Sequence, residues 1–391
     1  MSGISNLFQG ILAFHWEYLV MYAIGGLLIY LAIAKDYEPL LLLPIGFGAI
    51  LVNIPLSVVW PVLETDMAGH GLLQTINDFG IATELFPALI FIGIGAMTDF
   101  RPLFATPKMM FFGAAAQFGI FLTVMAAIAL SQIAPNLFPF SLKDAASIGI
   151  IGAADGPTSI MVANAFSPHL LGPISVAAYS YMSLVPIIQP PVIKLLTTKE
   201  ERKIRMKYSD VVIPKWIMVL FPIGVTILAG ILAPISVPLI GLLMFGNLLK
   251  EAGVVERLSQ AAQKELSNIV TLLLGITIGA SMHFSKFLTI ETIGILVLGF
   301  FAFVFDTAGG VLFAKLLNLF SKEKVNPMVG AAGISAFPMA ARIVQRMAKD
   351  EDPTNFVLMQ AMGANVSGQI GSVIAGGIIL SITPWLSTLI K

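Results

Sequence analysis

Apolar residues run along this chain in long blocks that polar residues rarely interrupt. A membrane-crossing helix needs about 20 consecutive apolar residues. Runs of that kind predict helices near residues 17–34, 39–62, 108–133, 173–197, 212–232 and 289–320. The segments 84–98, 145–166, 234–249, 268–282, 327–345 and 355–389 are also apolar, but shorter or interrupted by glycine, proline and polar residues. Together they predict an all-α polytopic membrane protein with about 10–12 membrane segments, some of which do not cross alone. Segment 63–80 is polar enough to lie at the membrane surface, and 250–268 reads as a short amphipathic surface helix.

Composition agrees. Of the 391 residues 57% are apolar and 11% charged, against about 25% charged in a soluble domain. The formal net charge is zero, so no basic surface points to nucleic acid. The absence of cysteine excludes disulfides, thiolate metal sites and a cysteine nucleophile. His15, His70, His169 and His283 are scattered and form no HExxH pair, and no GxxxxGK[ST] loop offers an ATP site. The first residues lack a basic n-region, so the first membrane helix is expected to direct insertion. The densest charge is "KLLTTKEERKIRMK", Lys194–Lys207, with six basic residues and two acids. Such a loop is expected on the cytoplasmic side, and it divides the chain into two halves.

The halves resemble each other. "FIGIGAMTDFRPLF" (91–104) lies on "GITIGASMHFSKFL" (275–288), and "GAADGPTSI" from Gly152 lies on "GAAGISAFP" from Gly330. Glycine- or proline-broken segments at matching places in two halves point to a transporter's midplane site. The expected organisation is an N-terminal part, 1–82; a first repeat, 83–198, broken at 145–166; a basic linker, 199–210; connecting helices, 211–265; and a second repeat, 266–391, broken at 327–345 and 355–389.

The first break carries the chemistry. Gly152, Gly156 and Pro157 interrupt the apolar run at its centre, and Asp155 stands at an N-cap position. Freed carbonyls and N–H groups there must face a cavity rather than lipid. Asp155, the hydroxyls of Thr158 and Ser159 and loose carbonyls are hard oxygen donors suited to a cation such as Na⁺. A carboxylate at that depth is costly and is functional by default; the alternative is an acid that only caps a half-helix. In 361–377, Asn365, Ser367, Gln369 and Ser372 supply further oxygens, with Asn365 and Gln369 on one helical face, although small residues there also suit helix packing. Tyr181 and Gln189 are polar within an apolar span that Pro190-Pro191 is expected to break. Asp306 is a secondary candidate for a proton path, Asp99 reads as a helix-end residue, and Glu84 suits a helix start.

Several blocks together carry a resemblance to a known family: "DAASIGIIGAADGPTSIMVA", "AYSYMSLVPIIQPPVIKLLTTKEERKIRM", "GNLLKEAGVVERL", "TELFPALIFIGIGAMTDFRPLFATPK", "GAAAQFGIF" and "DPTNFVLMQAMGANVSGQIGS". From about Leu40 to Gly377 the chain resembles the β subunit of biotin-dependent, sodium-pumping decarboxylases, which act on oxaloacetate, methylmalonyl-CoA, glutaconyl-CoA or malonate. The resemblance implies an elevator-like fold of two inverted repeats with discontinuous helices, in a bacterial inner membrane. It implies partners: a carboxyltransferase α subunit, a biotin carrier, a small γ or δ membrane subunit, and further copies of the chain. It implies decarboxylation of carboxybiotin brought by the carrier, coupled to Na⁺ export and proton uptake. The family's aspartate falls on Asp155 and its tyrosine on Tyr181; its asparagine, glycine and serine fall on Asn365, Gly368 (or Gly371) and Ser372. Asp155, Tyr181 and Ser372 are then catalytic; Asp155, Thr158, Asn365, Gly368 and Ser372 bind Na⁺; and Tyr181 and Gln189 line the carboxybiotin cavity. The basic residue that some members carry late in the last membrane segment has no counterpart in 373–390. Met206-Lys207 lies in a charge run rather than a small β domain, so biotin must come on another chain. The rival expectation is a stand-alone ion-coupled carrier for a carboxylate or amino acid, which fold physics alone does not separate from the first.

Overall fold

The computed structural model describes residues 9–60, 71–207 and 212–389. All regular elements among them are helical. The longer ones are α1 (Trp16–Lys35), α2 (Pro39–Val52), α3 (Leu72–Gly80), α4 (Leu85–Met97), α5 (Met110–Ala116), α6 (Phe118–Ile133), α7 (Leu142–Gly149) and α8 (Gly156–Phe166). They continue as α9 (Leu171–Leu196), α10 (Lys215–Leu232), α11 (Val237–Ala252), α12 (Ser267–Ala280), α13 (Ile290–Phe320), α14 (Met339–Glu351) and α15 (Leu358–Leu389). Among the described residues 6 helices are long and apolar enough to cross a membrane, or 7 if α3 and α4, which meet at a 63° bend, are counted as one span. The shorter apolar helices α2 and α10 and several half-length pieces complete the set, so this is a polytopic helical membrane protein.

Ion pairs fix which ends share a face. Arg202 at the end of the basic loop pairs with Glu351 at the end of α14 (2.6 Å), and Arg205 with Asp352 (2.7 Å). Lys315 near the end of α13 pairs with Glu201 (3.1 Å). The C-terminal ends of α9, α13 and α14 therefore lie together, on the face that the basic loop marks as cytoplasmic.

Two hairpins enter from opposite faces. The first is α7, a 3-10 turn at Ile150–Ala153, and α8. Ser141 and Asp144 form a capping box at its start. Ser167, just past its end, donates to Asp144 Oδ1 at 2.5 Å, so both ends lie side by side, next to the start of α9 and away from the basic loop. The second hairpin runs from Asn326 through a helical turn at Met328–Ala331 into α14. Asn326 donates to the carbonyls of Arg202 and Ile204 (2.8 and 2.9 Å), which holds this hairpin's base at the basic loop. The tips meet inside the bundle, where Ser335 N–H donates to Ala153 O at 3.3 Å.

Around them the helices pack through small residues. A Cβ on Gly48 of α2 would lie 2.2 Å from Ile276 O of α12, and one on Gly95 of α4 would lie 1.8 Å from Leu243 O of α11. Backbone approach this close is the usual route to helix association in lipid.

Several expectations need correction. Helix α2 stops at Val52, not near residue 62; Asn53 ends it, donating back to Ala49 O (2.8 Å) and across to Met282 O (2.8 Å). Of the surface segment 63–80, residues up to 70 lie outside the described set and 72–80 is helix α3; residues 208–210 of the linker also lie outside it. Segment 250–268 is not one surface helix. It holds the end of α11, a turn at Gly253 (φ 71°), and a helical stretch through a π turn into α12. Pro190-Pro191 does not break α9, which keeps Pro186, Pro190 and Pro191 inside one 26-residue helix. Neighbouring groups in a bundle can satisfy the carbonyls that proline frees. Nor is 355–389 broken: α15 is one 32-residue helix. Its glycines admit neighbouring backbone instead of ending the helix, as at Gly368, where a Cβ would meet Gly333 O at 2.2 Å.

Candidate functional site at the hairpin tips

The break at Asp155 is built by three consecutive departures from α-helix. Ile150–Ala153 tightens into a 3-10 turn, Ala154 adopts a left-handed conformation (φ 54°), and Asp155 is extended (φ −137°, ψ 100°). Helix α8 then starts with Pro157 in its first turn, where the missing N–H costs no bond. Asp155 occupies the N-cap position, yet its side chain makes no capping bond to the backbone. It turns instead to two hydroxyls. Thr158 Oγ1 donates to Asp155 Oδ2 at 2.7 Å, and Ser372 Oγ of α15 approaches the same oxygen at 3.0 Å. Asp155 is 2% exposed.

Helix α15 contributes a polar stripe. Asn365, Gly368, Gln369 and Ser372 fall at i, i+3, i+4 and i+7, one face of a helix. Asn365 Nδ2 donates to Ile334 O (2.6 Å) and Gln369 Nε2 to Ser335 O (3.1 Å), while Ser335 Oγ donates to Gly368 O (2.8 Å). These bonds pin α15 to the second hairpin tip, and Ser372 joins it to the first. Gly371 faces elsewhere, 3.2 Å from Gly113 O by its would-be Cβ. Ser159 Oγ donates to Asp155 O at 2.9 Å and so braces the backbone of the break. Ser367 is turned to Met110 O (2.7 Å) on α5.

The amide nitrogens of Asn365 and Gln369 are used, but their oxygens are not. Asn365 Oδ1, Gln369 Oε1 and the Tyr179 hydroxyl are buried without a hydrogen-bond partner. Buried polar atoms are nearly always partnered, and two of these oxygens belong to residues, Tyr179 and Gln369, that line one cavity with Asp155, an oxygen set suited to a cation. A cavity of about 380 Å³ opens at this point; Asp155, Tyr179, Ser335, Arg342 and Gln369 are in its wall.

Tyr181 and Gln189 are not in that wall. Tyr181 donates to Leu296 O (2.6 Å) and its ring lies against Phe300 and Phe303 of α13. Gln189 donates to Ala331 O (2.7 Å), on the rising arm of the second hairpin. The tyrosine beside Asp155 is Tyr179, whose ring lies 2.2 Å from where a Cβ on Gly156 would stand. Two positions along a helix turn the side chain by about 200°, which separates these two tyrosines. Sequence reasoning also passed over Ser335 and Arg342, although both lie in the broken segment 327–345. Residues 373–390 hold no basic residue, and the cavity wall takes its basic residue, Arg342, from the second hairpin.

The other acids lie apart. Asp306 is 1% exposed, its oxygens 2.2 and 2.6 Å from the would-be Cβ atoms of Gly119 and Gly152. Asp99 pairs with Arg101 (3.3 Å) at a helix end, and Glu84 stands at the start of α4.

Comparison with known proteins fits this geometry. Residues 17–383 match the family described as Na⁺-transporting oxaloacetate decarboxylase β subunit. The chain is 51% identical over 373 residues to the glutaconyl-CoA decarboxylase β subunit of Acidaminococcus fermentans, covering 95% of each chain. It is 48% identical over 381 residues to the methylmalonyl-CoA decarboxylase β subunit of Propionigenium modestum (93% of this chain, 94% of that one). It is 45% identical over 430 residues to the oxaloacetate decarboxylase β chain of Klebsiella pneumoniae (97% and 99%).

Proposed function

Since the chain belongs to the Na⁺-transporting oxaloacetate decarboxylase β-subunit family, we propose that its hairpin-tip cavity is where carboxybiotin decarboxylation is coupled to Na⁺ movement. The protein is a multi-pass inner-membrane subunit of a sodium-pumping decarboxylase that works within a multi-subunit complex. Which subunits accompany it, and that biotin arrives carboxylated on one of them, are parts of the proposal. The observation that carries it is the meeting of Asp155 with the Thr158 and Ser372 hydroxyls at a cavity whose wall also holds Gln369 with its orphaned oxygen.

Na⁺ is held as substrate by Asp155, with Thr158, Ser372 and the Asn365 and Gln369 oxygens completing an oxygen shell. A single carboxylate balances a monovalent charge. Both hydroxyls can turn their lone pairs to the ion, since each has a carboxylate or carbonyl to receive its proton instead. Arg342, facing the same cavity, holds the carboxylate of carboxybiotin. The ring-nitrogen–carbon bond breaks, carbon dioxide leaves, and the electron pair remains on the nitrogen. A proton carried by Asp155 neutralises it, and the emptied carboxylate is ready for Na⁺. The proton therefore returns by the path the ion left.

The inverted-repeat, elevator-like reading belongs to this proposal. Two features support it: the hairpins enter from opposite faces, and each half's Gly-Ala helix packs on the other half's preceding helix, α12 on α2 and α4 on α11. Exporting one charge against 100 mV costs about 2.3 kcal/mol, which decarboxylation has to supply.

Reconstitution tests the function. In proteoliposomes, the purified complex given free carboxybiotin should release carbon dioxide and move Na⁺ in a fixed ratio. Na⁺-coupled uptake of a carboxylate by the chain alone, with no release, would favour the carrier instead.

A further inference from the structure

A second cavity, of about 330 Å³, is bounded by the end of α1 and the loop after it (Lys35, Asp36, Glu38), by α9 (Ser183) and by α14 (Arg342, Arg346), and α9 and α14 also line the Asp155 cavity. Leu41, Met182 and Pro338 line the Asp155 cavity, and their near neighbours Glu38, Ser183 and Met339 line this one; Arg342 borders both. The second cavity lies on the cytoplasmic side of the first. From Arg342 to Arg346 helix α14 climbs towards Glu351, which is bound to Arg202 of the basic loop, and from Ser183 to Pro186 helix α9 climbs towards that loop.

Three cations meet here: Lys35 at the end of α1, and Arg342 and Arg346 one turn apart on α14. Spacing of i, i+4 puts both guanidinium groups on one face. Among the described residues none of these three side chains is in an ion pair or a hydrogen bond, whereas those of Arg101, Arg202 and Arg205 all are. Two carboxylates share the wall, Asp36 and Glu38, both in left-handed backbone (φ 56° and 37°). Burial pushes the Glu38 carboxyl up from its ordinary range, Arg342 opposes this and Asp36 adds to it. The wall thus sets three cations against two carboxylates in a space of small-ligand size.

We propose that this outer cavity is an anion-receiving vestibule: Arg346 and Lys35 capture the carboxylated ring of carboxybiotin and pass it to Arg342 at the border of the Asp155 cavity. The inference rests on the function proposed above and adds positioning residues on the cytoplasmic approach. Two groups are needed because the ring must be held while it is still outside the tips. A guanidinium suits this, since its planar donors match a carboxylate in two-point contact. An anionic lipid headgroup offers similar chemistry at the same face, so the test must separate the two.

The probe is N-carboxylated biotin amide, whose ring carboxylate is its sole negative charge, with biotin amide as competitor. The complex is reconstituted in vesicles of neutral lipid and, separately, of lipid with an anionic component. Arg346→Gln and Lys35→Gln should each raise the half-saturating probe concentration about tenfold, the loss of one charge-assisted contact. Na⁺ half-saturation and the maximal rate should stay unchanged, in both vesicle types. Arg346→Lys should keep most of the affinity, which separates lost charge from lost folding. Biotin amide should compete weakly, and no better against the unaltered chain than against Arg346→Gln. Unchanged half-saturation in both variants would overturn the vestibule, as would an effect confined to anionic vesicles, which would assign the cations to lipid. No release by the unaltered complex would instead overturn the decarboxylase reading.

Discussion

The two hairpins have the same outline and opposite charge. The first brings a carboxylate to its tip and meets the second through Ala153 and Ser335. The second has Gly333 and Ser335 at its tip and brings Arg342 on its returning helix. Their bases differ too. The first is closed by hydrogen bonds of the buried Asp144 to Ser141 and Ser167, the second by ion pairs of Glu351 and Asp352 with the basic loop. One hairpin therefore presents a carboxylate and the other a guanidinium to one cavity. On the function proposed above, coupling uses that division: the ion and the acid group are sensed in the same place by groups belonging to different, separately anchored arms.

The sharpest way to break the comparison is to push the second tip off α15. Gly368→Val puts a side chain where Gly333 O stands 2.2 Å from the Cβ position. Expected are loss of Na⁺-dependent carbon dioxide release and a destabilisation of about 3 kcal/mol, the upper range for overpacking, read by thermal melting of the purified complex. Smaller, and confined to the first tip, is Ser372→Ala. It removes one of two hydroxyls on Asp155 Oδ2 and should raise Na⁺ half-saturation about tenfold, at little cost in melting temperature.

The two tyrosines sharpen the picture further. Tyr179→Phe removes an unpartnered hydroxyl in the cavity wall, and Tyr181→Phe removes a bond to Leu296 O. The first should shift Na⁺ half-saturation with little effect on stability. The second should cost about 1 kcal/mol of stability and leave Na⁺ half-saturation near its original value. The reverse pattern would return the functional role to Tyr181.

The smallest effect concerns the base of the second hairpin. Hydrogen bonds from Thr354 and Arg205 hold the Asp352 carboxyl at about 2. A carboxyl depressed in the folded state stabilises it above the unfolded value, about 3.9, and that stability is lost as pH falls towards 2. Asp352→Asn should therefore melt slightly lower than the unaltered chain at pH 6, and the gap should narrow as pH drops below about 4. A gap that does not change with pH would separate Asp352 from this anchoring.

Much of this arrangement is legible in the chain itself. Long apolar runs locate α1, α9 and α13 to within a few residues, because lipid admits little else of that length. The break at Asp155 is legible because Gly152, Gly156 and Pro157 surround an acid in apolar sequence. The second hairpin is harder: its tip, "GISAFP", carries no charge, and its cationic contribution to the Asp155 cavity, Arg342, reads locally as the start of an amphipathic helix. Glycine is ambiguous for a physical reason. In α15 it serves close packing inside a continuous helix, whereas at Gly156 it makes room for Tyr179 beside a break. The same residue type supports both, and only the neighbour decides. Tyr179 and Tyr181 show the complementary limit: residues two apart in one motif face opposite ways, and the motif does not say which faces the site.

The central claim is that Asp155 is the switchable ligand for Na⁺ and the proton. It is tested most directly by the rate of carbon dioxide release from free carboxybiotin as Na⁺ rises, in the reconstituted complex, for the unaltered chain and Asp155→Asn. The account predicts saturable Na⁺ activation in the unaltered chain, lost in a variant that still assembles and melts normally. Na⁺ activation that survives the substitution would contradict it.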